Sequence, residues 1–90
     1  MLFENRKIKI KYIEEYIDDY SNRSFLFTID IKDFDTPILN LVYDVKEGII
    51  SKTYLDKQFE NIPKSHIVYK MFSLIEYEII EIIRFMINHI

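Results

Sequence analysis

Two triplets in the chain place an acidic residue two positions before a lysine: Asp30 with Lys32, and Asp44 with Lys46. Paired carboxylates can hold a divalent metal ion, and a nearby lysine can assist the water that the metal activates. With 15 acidic residues in 90 positions, about 1.5 such triplets are expected by chance. The triplets therefore carry little information about catalysis, and Lys46 falls in a predicted turn rather than on a strand.

The other residue types that support chemistry are sparse. The two histidines, His66 and His89, are far apart and the chain has no cysteine, so no zinc-ligand spacing occurs. A single glycine excludes a glycine-rich phosphate loop, and the serines have no nucleophile-elbow context. We therefore predict a protein that is not an enzyme and that needs no metal or cofactor.

Composition indicates one folded domain over residues 1–90, with 49% hydrophobic and 30% charged side chains. The absence of cysteine argues against a small secreted domain, which would usually depend on disulfides. Charged residues interrupt the apolar C-terminal segment at Glu76, Glu78, Glu81 and Arg84. Charges at these positions oppose membrane insertion, so we expect a soluble protein in the cytoplasm.

The N-terminal segment has two interpretations. Over residues 6–20, apolar side chains recur at steps of three and four, as in one face of a helix: Ile10, Ile13, Ile17 and Tyr20. We predict a helix that runs through residue 20. The alternative is a strand over residues 7–12, because Lys and Ile alternate there with a period of two.

Three strands are predicted over residues 24–32, 38–45 and 49–55, where apolar and polar residues alternate. Asp-rich residues 33–37 end with a proline and form the first turn. The second turn contains Gly48, which can take a positive φ. Because both connections are short, the strands should pair as an antiparallel meander.

The C-terminal segment is predicted to be a long helix, with Pro63 in its first turn and Asn61 as a candidate N-cap. The predicted fold class is therefore α+β: helix, three-stranded antiparallel meander and long C-terminal helix (αβββα), with a single layer of helices on the sheet. The residues expected in the core are Phe25, Phe27, Ile29, Leu39, Leu41, Tyr43, Ile75, Ile79, Ile82 and Met86.

The apolar arc of the C-terminal helix is wider than one sheet and one helix can cover. A surplus apolar patch marks an interface, and a two-fold contact uses the same patch twice. We predict a homodimer through Ile80, Ile83 and Ile87, with Glu76 at the rim. Alternatively, the first helix or a different protein covers the surplus apolar patch.

Charge is unevenly distributed in a chain whose net charge is −3. Basic residues dominate the first twelve positions, and acidic residues dominate positions 13–63. The predicted acidic surface consists of Glu14, Glu15, Asp18, Asp19, Asp30, Asp33 and Asp35. Such a surface keeps a protein soluble; alternatively, it docks on a basic protein, where charge complementarity speeds association.

The predicted order of elements resembles two families that act on nucleic acids. With Asp30 upstream, Asp44 and Lys46 look like the metal site of a nuclease core built from a helix, three strands and a helix. The same order resembles the double-stranded-RNA-binding domain, whose second helix opens with a basic cluster; the matching residues here are Lys64, His66 and Lys70. The dense lysine run of that family is absent, and a net charge of −3 opposes a large phosphate footprint.

The size, the acidity and the helix–sheet–helix plan are also similar to those of some anti-CRISPR proteins. That resemblance implies a small protein-binding module, encoded by a phage or a mobile element, that inhibits a basic nucleic-acid-binding enzyme through its acidic surface. This is the predicted function. The alternatives are a nucleic-acid-binding domain of the double-stranded-RNA-binding plan, although we do not expect direct nucleic-acid binding, and a metal-dependent nuclease.

Overall fold

The computed structural model of the chain describes residues 1–32, 38–55 and 67–89. Its strands are β1 (Leu2–Glu4), β2 (Ile8–Ile17), β3 (Arg23–Ile31), β4 (Leu39–Asp44) and β5 (Ile49–Leu55), and they are followed by helix α1 (Ile67–Ile87). The strands form one sheet in the order β1-β2-β3-β4-β5. Every neighbouring pair is antiparallel, so the described sheet is a simple meander.

The predicted N-terminal helix is wrong, and with it the αβββα topology. The segment forms β1 and β2 instead, so the sheet has five strands and the order is βββββα in the described residues. The alternation of Lys and Ile over residues 7–12 was the correct signal, and the strand continues to Ile17. The misleading helical spacing has a physical cause: a bulge at Ile13 shifts the register between Tyr12 and Glu14. An inserted residue breaks the period of two, and so it can imitate a period near 3.6.

One face of the sheet and helix α1 enclose the core. Cross-strand partners share a face, which aligns Ile10, Ile29, Leu39 and Leu55 in one row across four strands. The buried core residues are Ile8, Ile10, Phe25, Phe27, Ile29, Ile31, Leu39, Leu41, Tyr43, Leu55, Phe72, Ile79, Ile83 and Met86. The predicted core is confirmed except at Ile75 and Ile82, which are partly buried against this cluster.

Helix α1 contacts the sheet through residues that recur at helical spacing, among them Ile79, Ile83 and Met86. Near its C-terminal end, the Arg84 guanidinium donates to the hydroxyl of Tyr43 at 3.3 Å and to the carbonyl of Gly48 at 3.2 Å. Gly48 has the predicted positive φ, at 67°. These contacts hold the end of the helix against the turn between β4 and β5.

The other face of the sheet carries no helix in the described ranges. We call it the uncovered face; it comprises residues such as Lys9, Lys11, Thr28, Asp30, Lys52 and Tyr54. Charged and polar side chains alternate along it with a few apolar ones. The sheet therefore has one apolar side, covered by the helix, and one mixed side.

The packing of α1 predicts different costs for two substitutions on the same helix. Ile79 is 0% exposed and Leu74 is 79% exposed. Ile79→Ala should lower the free energy of unfolding by about 2–5 kcal/mol because it leaves a cavity. Leu74→Ala, the matched control, should change it by less than about 0.5 kcal/mol. Urea denaturation measures both, and equal small losses would contradict the placement of the helix.

Candidate functional site

Strand β2 is much longer than its neighbour at the edge of the sheet. β2 has 10 residues and β1 has 3, and β1 pairs only with Lys9, Ile10 and Lys11. The last contact is from the N–H of Tyr12 to the carbonyl of Met1, at 3.0 Å. Among the described residues no strand lies beside residues 13–17 on that side, and we call this segment the free half of β2.

The backbone of the free half faces outward at alternate residues. In an antiparallel pair, residues alternate between bonding to the partner strand and facing away from it. The carbonyl of Arg23 accepts from the N–H of Val45 at 3.1 Å, so Arg23 faces β4. Its cross-strand partner Ile17 therefore faces the open edge, and Glu15, two residues earlier, does the same. Each presents one N–H and one carbonyl to an incoming strand.

The side chains of the free half are apolar and acidic. Ile13, Tyr16 and Ile17 are all exposed, and Ile17 is 65% exposed. Because side chains alternate along a strand, Glu14 and Tyr16 lie on the uncovered face while Glu15 and Ile17 lie on the helix side. An extended segment placed alongside would meet one carboxylate and one apolar side chain on each face of the sheet.

Among the described residues, each carboxylate of the free half has one hydrogen-bond partner. Glu15 Oε1 accepts from Nε of Arg23 at 2.6 Å, and this contact raises the pKa of the Arg23 guanidinium. Glu14 Oε1 accepts from the hydroxyl of Tyr16, which raises the pKa of that hydroxyl. A carboxylate offers about four acceptor sites over its two oxygens, so both glutamates can accept further donors.

Asp18 closes the turn that follows the free half. Its carboxylate accepts from the N–H of Asn22 at 2.9 Å, from the side-chain amide of Asn22 at 3.1 Å and from the N–H of Tyr20 at 2.8 Å. These bonds favour the charged form, and the pKa of Asp18 is lowered mainly by Asn22. Ser21 takes a left-handed conformation, with φ at 63°. The Asp18 carboxylate therefore accepts these hydrogen bonds from within the local turn.

The predicted acidic surface is only partly assembled. Glu14, Glu15, Asp18 and Asp19 all lie in the free half or in the turn after it, although β2 directs Glu14 and Glu15 to opposite faces. Asp30 lies at the other end of the sheet, opposite Lys9. The remaining two members, Asp33 and Asp35, lie outside the described residues, as do Asn61, Pro63, Lys64 and His66.

The residues predicted for the dimer seam point mostly toward the chain's own core. Ile83 is 0% exposed and is therefore enclosed within one copy, whereas Ile80 and Ile87 are partly buried against the same core. The exposed apolar side chains of α1 include Leu74, Tyr77 and Phe85. Self-association stays a prediction, and any such contact through this helix would involve these residues rather than Ile83.

The residues proposed for metal or phosphate chemistry do not converge in the described chain. Asp44 pairs with Ser24 at one end of β3, whereas Asp30 lies at the other end. The described residues include no group of three or more His, Cys, Asp or Glu side chains placed to hold a metal ion. The uncovered face has an open depression of 230 Å³, lined by Lys9, Lys11, Thr28, Asp30 and Ile38.

Comparison with known proteins adds no family or relative to these observations. No protein-family model matches the chain, and the searches of curated proteins and of solved structures found no match. Within the described ranges, no helix has the length and hydropathy needed to cross a membrane.

The outward orientation of the free half predicts different tolerance to proline at adjacent positions. Ile17→Pro removes an N–H that faces the open edge, where proline is tolerated. Tyr16→Pro removes an N–H that faces β3 and leaves a carbonyl without its donor, which should cost about 1–3 kcal/mol. We expect a clearly lower thermal midpoint for Tyr16→Pro than for Ile17→Pro. The reverse order would show that the register is misassigned.

The turn at Asp18 predicts a pH dependence. Because the pKa of Asp18 is lower in the folded chain than its ordinary value of 3.8, the carboxylate stabilises the fold above that value. This contribution is lost as the pH falls through the folded-state pKa. Between about pH 5 and pH 2, the wild-type protein should therefore lose stability more steeply than Asp18→Asn. Urea midpoints measured across this range provide the comparison, and parallel curves would contradict it.

Proposed function

We propose that the chain is a non-enzymatic protein-binding module that takes up an extended segment of a basic partner by strand addition at the free half of β2. The observation that carries this proposal is the length difference between β2 and β1, which leaves Glu15 and Ile17 facing an edge where no other strand of the described ranges lies. In strand addition, main-chain hydrogen bonds supply affinity and alternate side chains supply specificity.

The charge of the edge supports a partner of opposite sign. Four carboxylates lie in the free half and in the turn that follows it: Glu14, Glu15, Asp18 and Asp19. Lysine or arginine on the incoming segment would meet the two glutamates across the strand pair, where opposite charges are favourable. The same charges would also attract a basic protein over a longer distance and raise the association rate.

The same carboxylates oppose the pairing of two copies at this edge. An antiparallel contact between two free halves, centred on Tyr16, would bring the acidic residues of both copies together. Like charges across an interface disfavour that pairing. The bulge at Ile13 also distorts the edge, and both features are devices by which proteins protect exposed strands from self-pairing. The edge thus discriminates against a second copy while staying open to a basic strand.

Direct nucleic-acid binding has less support from the charge pattern. On the uncovered face, Lys9 lies between Glu4 and Asp30 in adjacent strands, Glu4 also forms an ion pair with Lys32, and the chain as a whole has a net charge of −3. Phosphate binding depends on an excess of Lys and Arg. A phage-encoded inhibitor directed against a basic nucleic-acid-binding enzyme stays a prediction. It agrees with the acidic charge of the edge, and identification of the partner would test it.

A displayed library of short random peptides tests the proposal without a known partner. Selection on the immobilised wild-type protein should enrich peptides that contain both apolar and basic residues. Ile17→Pro should abolish enrichment because it removes one main-chain donor at the edge and blocks the approach of a strand. Glu14→Lys should weaken the preference for basic peptides. Glu78→Lys, which makes the same charge change on the exposed side of α1, is the matched control.

Two results would contradict the proposal. One is the absence of any enriched peptide on the wild-type protein under conditions in which it is folded. The other is equal enrichment on the wild-type protein and on Ile17→Pro, which would place the binding surface elsewhere. Circular dichroism of each variant separates a loss of binding from a loss of fold.

A further inference from the structure

We infer that the segment bound at the free half runs antiparallel to β2 and reads, from its N-terminus to its C-terminus, apolar–apolar–basic–basic. This inference rests on the proposed function and deepens it by naming the direction and the residue order of the ligand. It uses the sequence of the free half, the outward backbone groups of Glu15 and Ile17, and the strand that already lies on the first half of β2.

The direction follows from the ladder beside the site. β1 runs antiparallel to β2, with Leu2 opposite Lys11 and Glu4 opposite Lys9. An antiparallel segment next to residues 14–17 would lie in line with β1 and run in the same direction along the edge. In that arrangement Glu15 and Ile17 each exchange both hydrogen bonds with one opposite residue. Antiparallel pairing is also slightly more stable per residue than parallel pairing.

The residue order follows from the direction. From residue 14 to residue 17, β2 carries acid, acid, aromatic and aliphatic side chains. An antiparallel segment meets these positions in reverse, so its first residue lies opposite Ile17 and its last opposite Glu14. Directly opposite side chains are close enough to interact. Apolar residues therefore fit the first two positions, and lysine or arginine fits the last two.

Each face of the sheet would carry two of these four side-chain contacts. On the helix side, the segment would place an apolar residue opposite Ile17 and a basic residue opposite Glu15. On the uncovered face, it would place an apolar residue opposite Tyr16 and a basic residue opposite Glu14. Glu15 keeps its ion pair with Arg23 at 2.6 Å through Oε1, because Oε2 can accept from the incoming residue. A one-residue slip would exchange the faces and place a basic residue opposite an apolar one.

Two synthetic peptides of identical composition test the inference. The forward peptide has the core valine–isoleucine–lysine–arginine, the reversed peptide has the core arginine–lysine–isoleucine–valine, and both are flanked by threonines. By fluorescence anisotropy, the forward peptide should bind the wild-type protein about tenfold more tightly, since four complementary cross-strand pairs distinguish the two orders. Its affinity should fall as salt is raised, because two of the pairs are ionic.

A charge exchange tests the register. A forward peptide with glutamate in place of its final arginine should bind the wild-type protein weakly and should recover affinity on Glu14→Lys. The original forward peptide should show the opposite preference. Glu78→Lys, the control, should bind both peptides as the wild-type protein does. Such reciprocal rescue reports a direct pair and not a general effect of net charge.

The outcomes separate this inference from the proposed function. Equal or tighter binding of the reversed peptide, still abolished by Ile17→Pro, would overturn the antiparallel order while leaving strand addition intact. Failure of rescue on Glu14→Lys would overturn the assigned register. If neither peptide binds, or if Ile17→Pro binds both as the wild-type protein does, the inference and the proposed function fail together.

Discussion

The ladder between β2 and β3 is the interaction on which the rest of the molecule depends. It runs from Ile8 opposite Ile31 to Ile17 opposite Arg23, and it joins the N-terminal hairpin to the strands that carry the helix. It places Ile8 and Ile10 in the same buried cluster as Ile79 and Ile83 of α1. It also continues beyond the reach of β1, and this excess length creates the candidate site. Fold and site are consequences of the same pairing.

Much of the fold could be predicted because its signals are local. The predicted strands over residues 24–32, 38–45 and 49–55 correspond to β3, β4 and β5, and the long C-terminal helix is present as α1. Gly48 has the positive φ expected of its turn. β1 was not predicted, and β2 was predicted only in part, as the alternative strand over residues 7–12, and the reasons differ. The bulge at Ile13 gave β2 a helical spacing, and β1 is 3 residues long, too short to show a period.

The site could be predicted less completely, because it depends on the relative lengths of two neighbouring strands. The acidic residues of the β2 region were recognised from composition, but a helix would have gathered them on one surface, whereas a strand directs Glu14 and Glu15 to opposite faces. The open edge arises because β1 ends before β2 does, and the sequence of neither strand alone indicates this difference in length. Ile83 shows the same limit: its apolar character was clear, but only the position of the sheet determines that it faces inward.

The bulge at Ile13 has a consequence for the behaviour of the protein in concentrated solution. The register is regular on either side of this residue, with Tyr12 opposite Phe27 and Glu14 opposite Leu26, so a chain without Ile13 could form a continuous ladder with the same residues on each face. Such a strand would be straighter, because bulges bend and twist the edge. A long, straight edge strand offers a regular row of backbone groups to another chain. The inserted isoleucine therefore interrupts an edge that would otherwise be regular, and bulges of this kind limit the pairing of exposed strands with other chains.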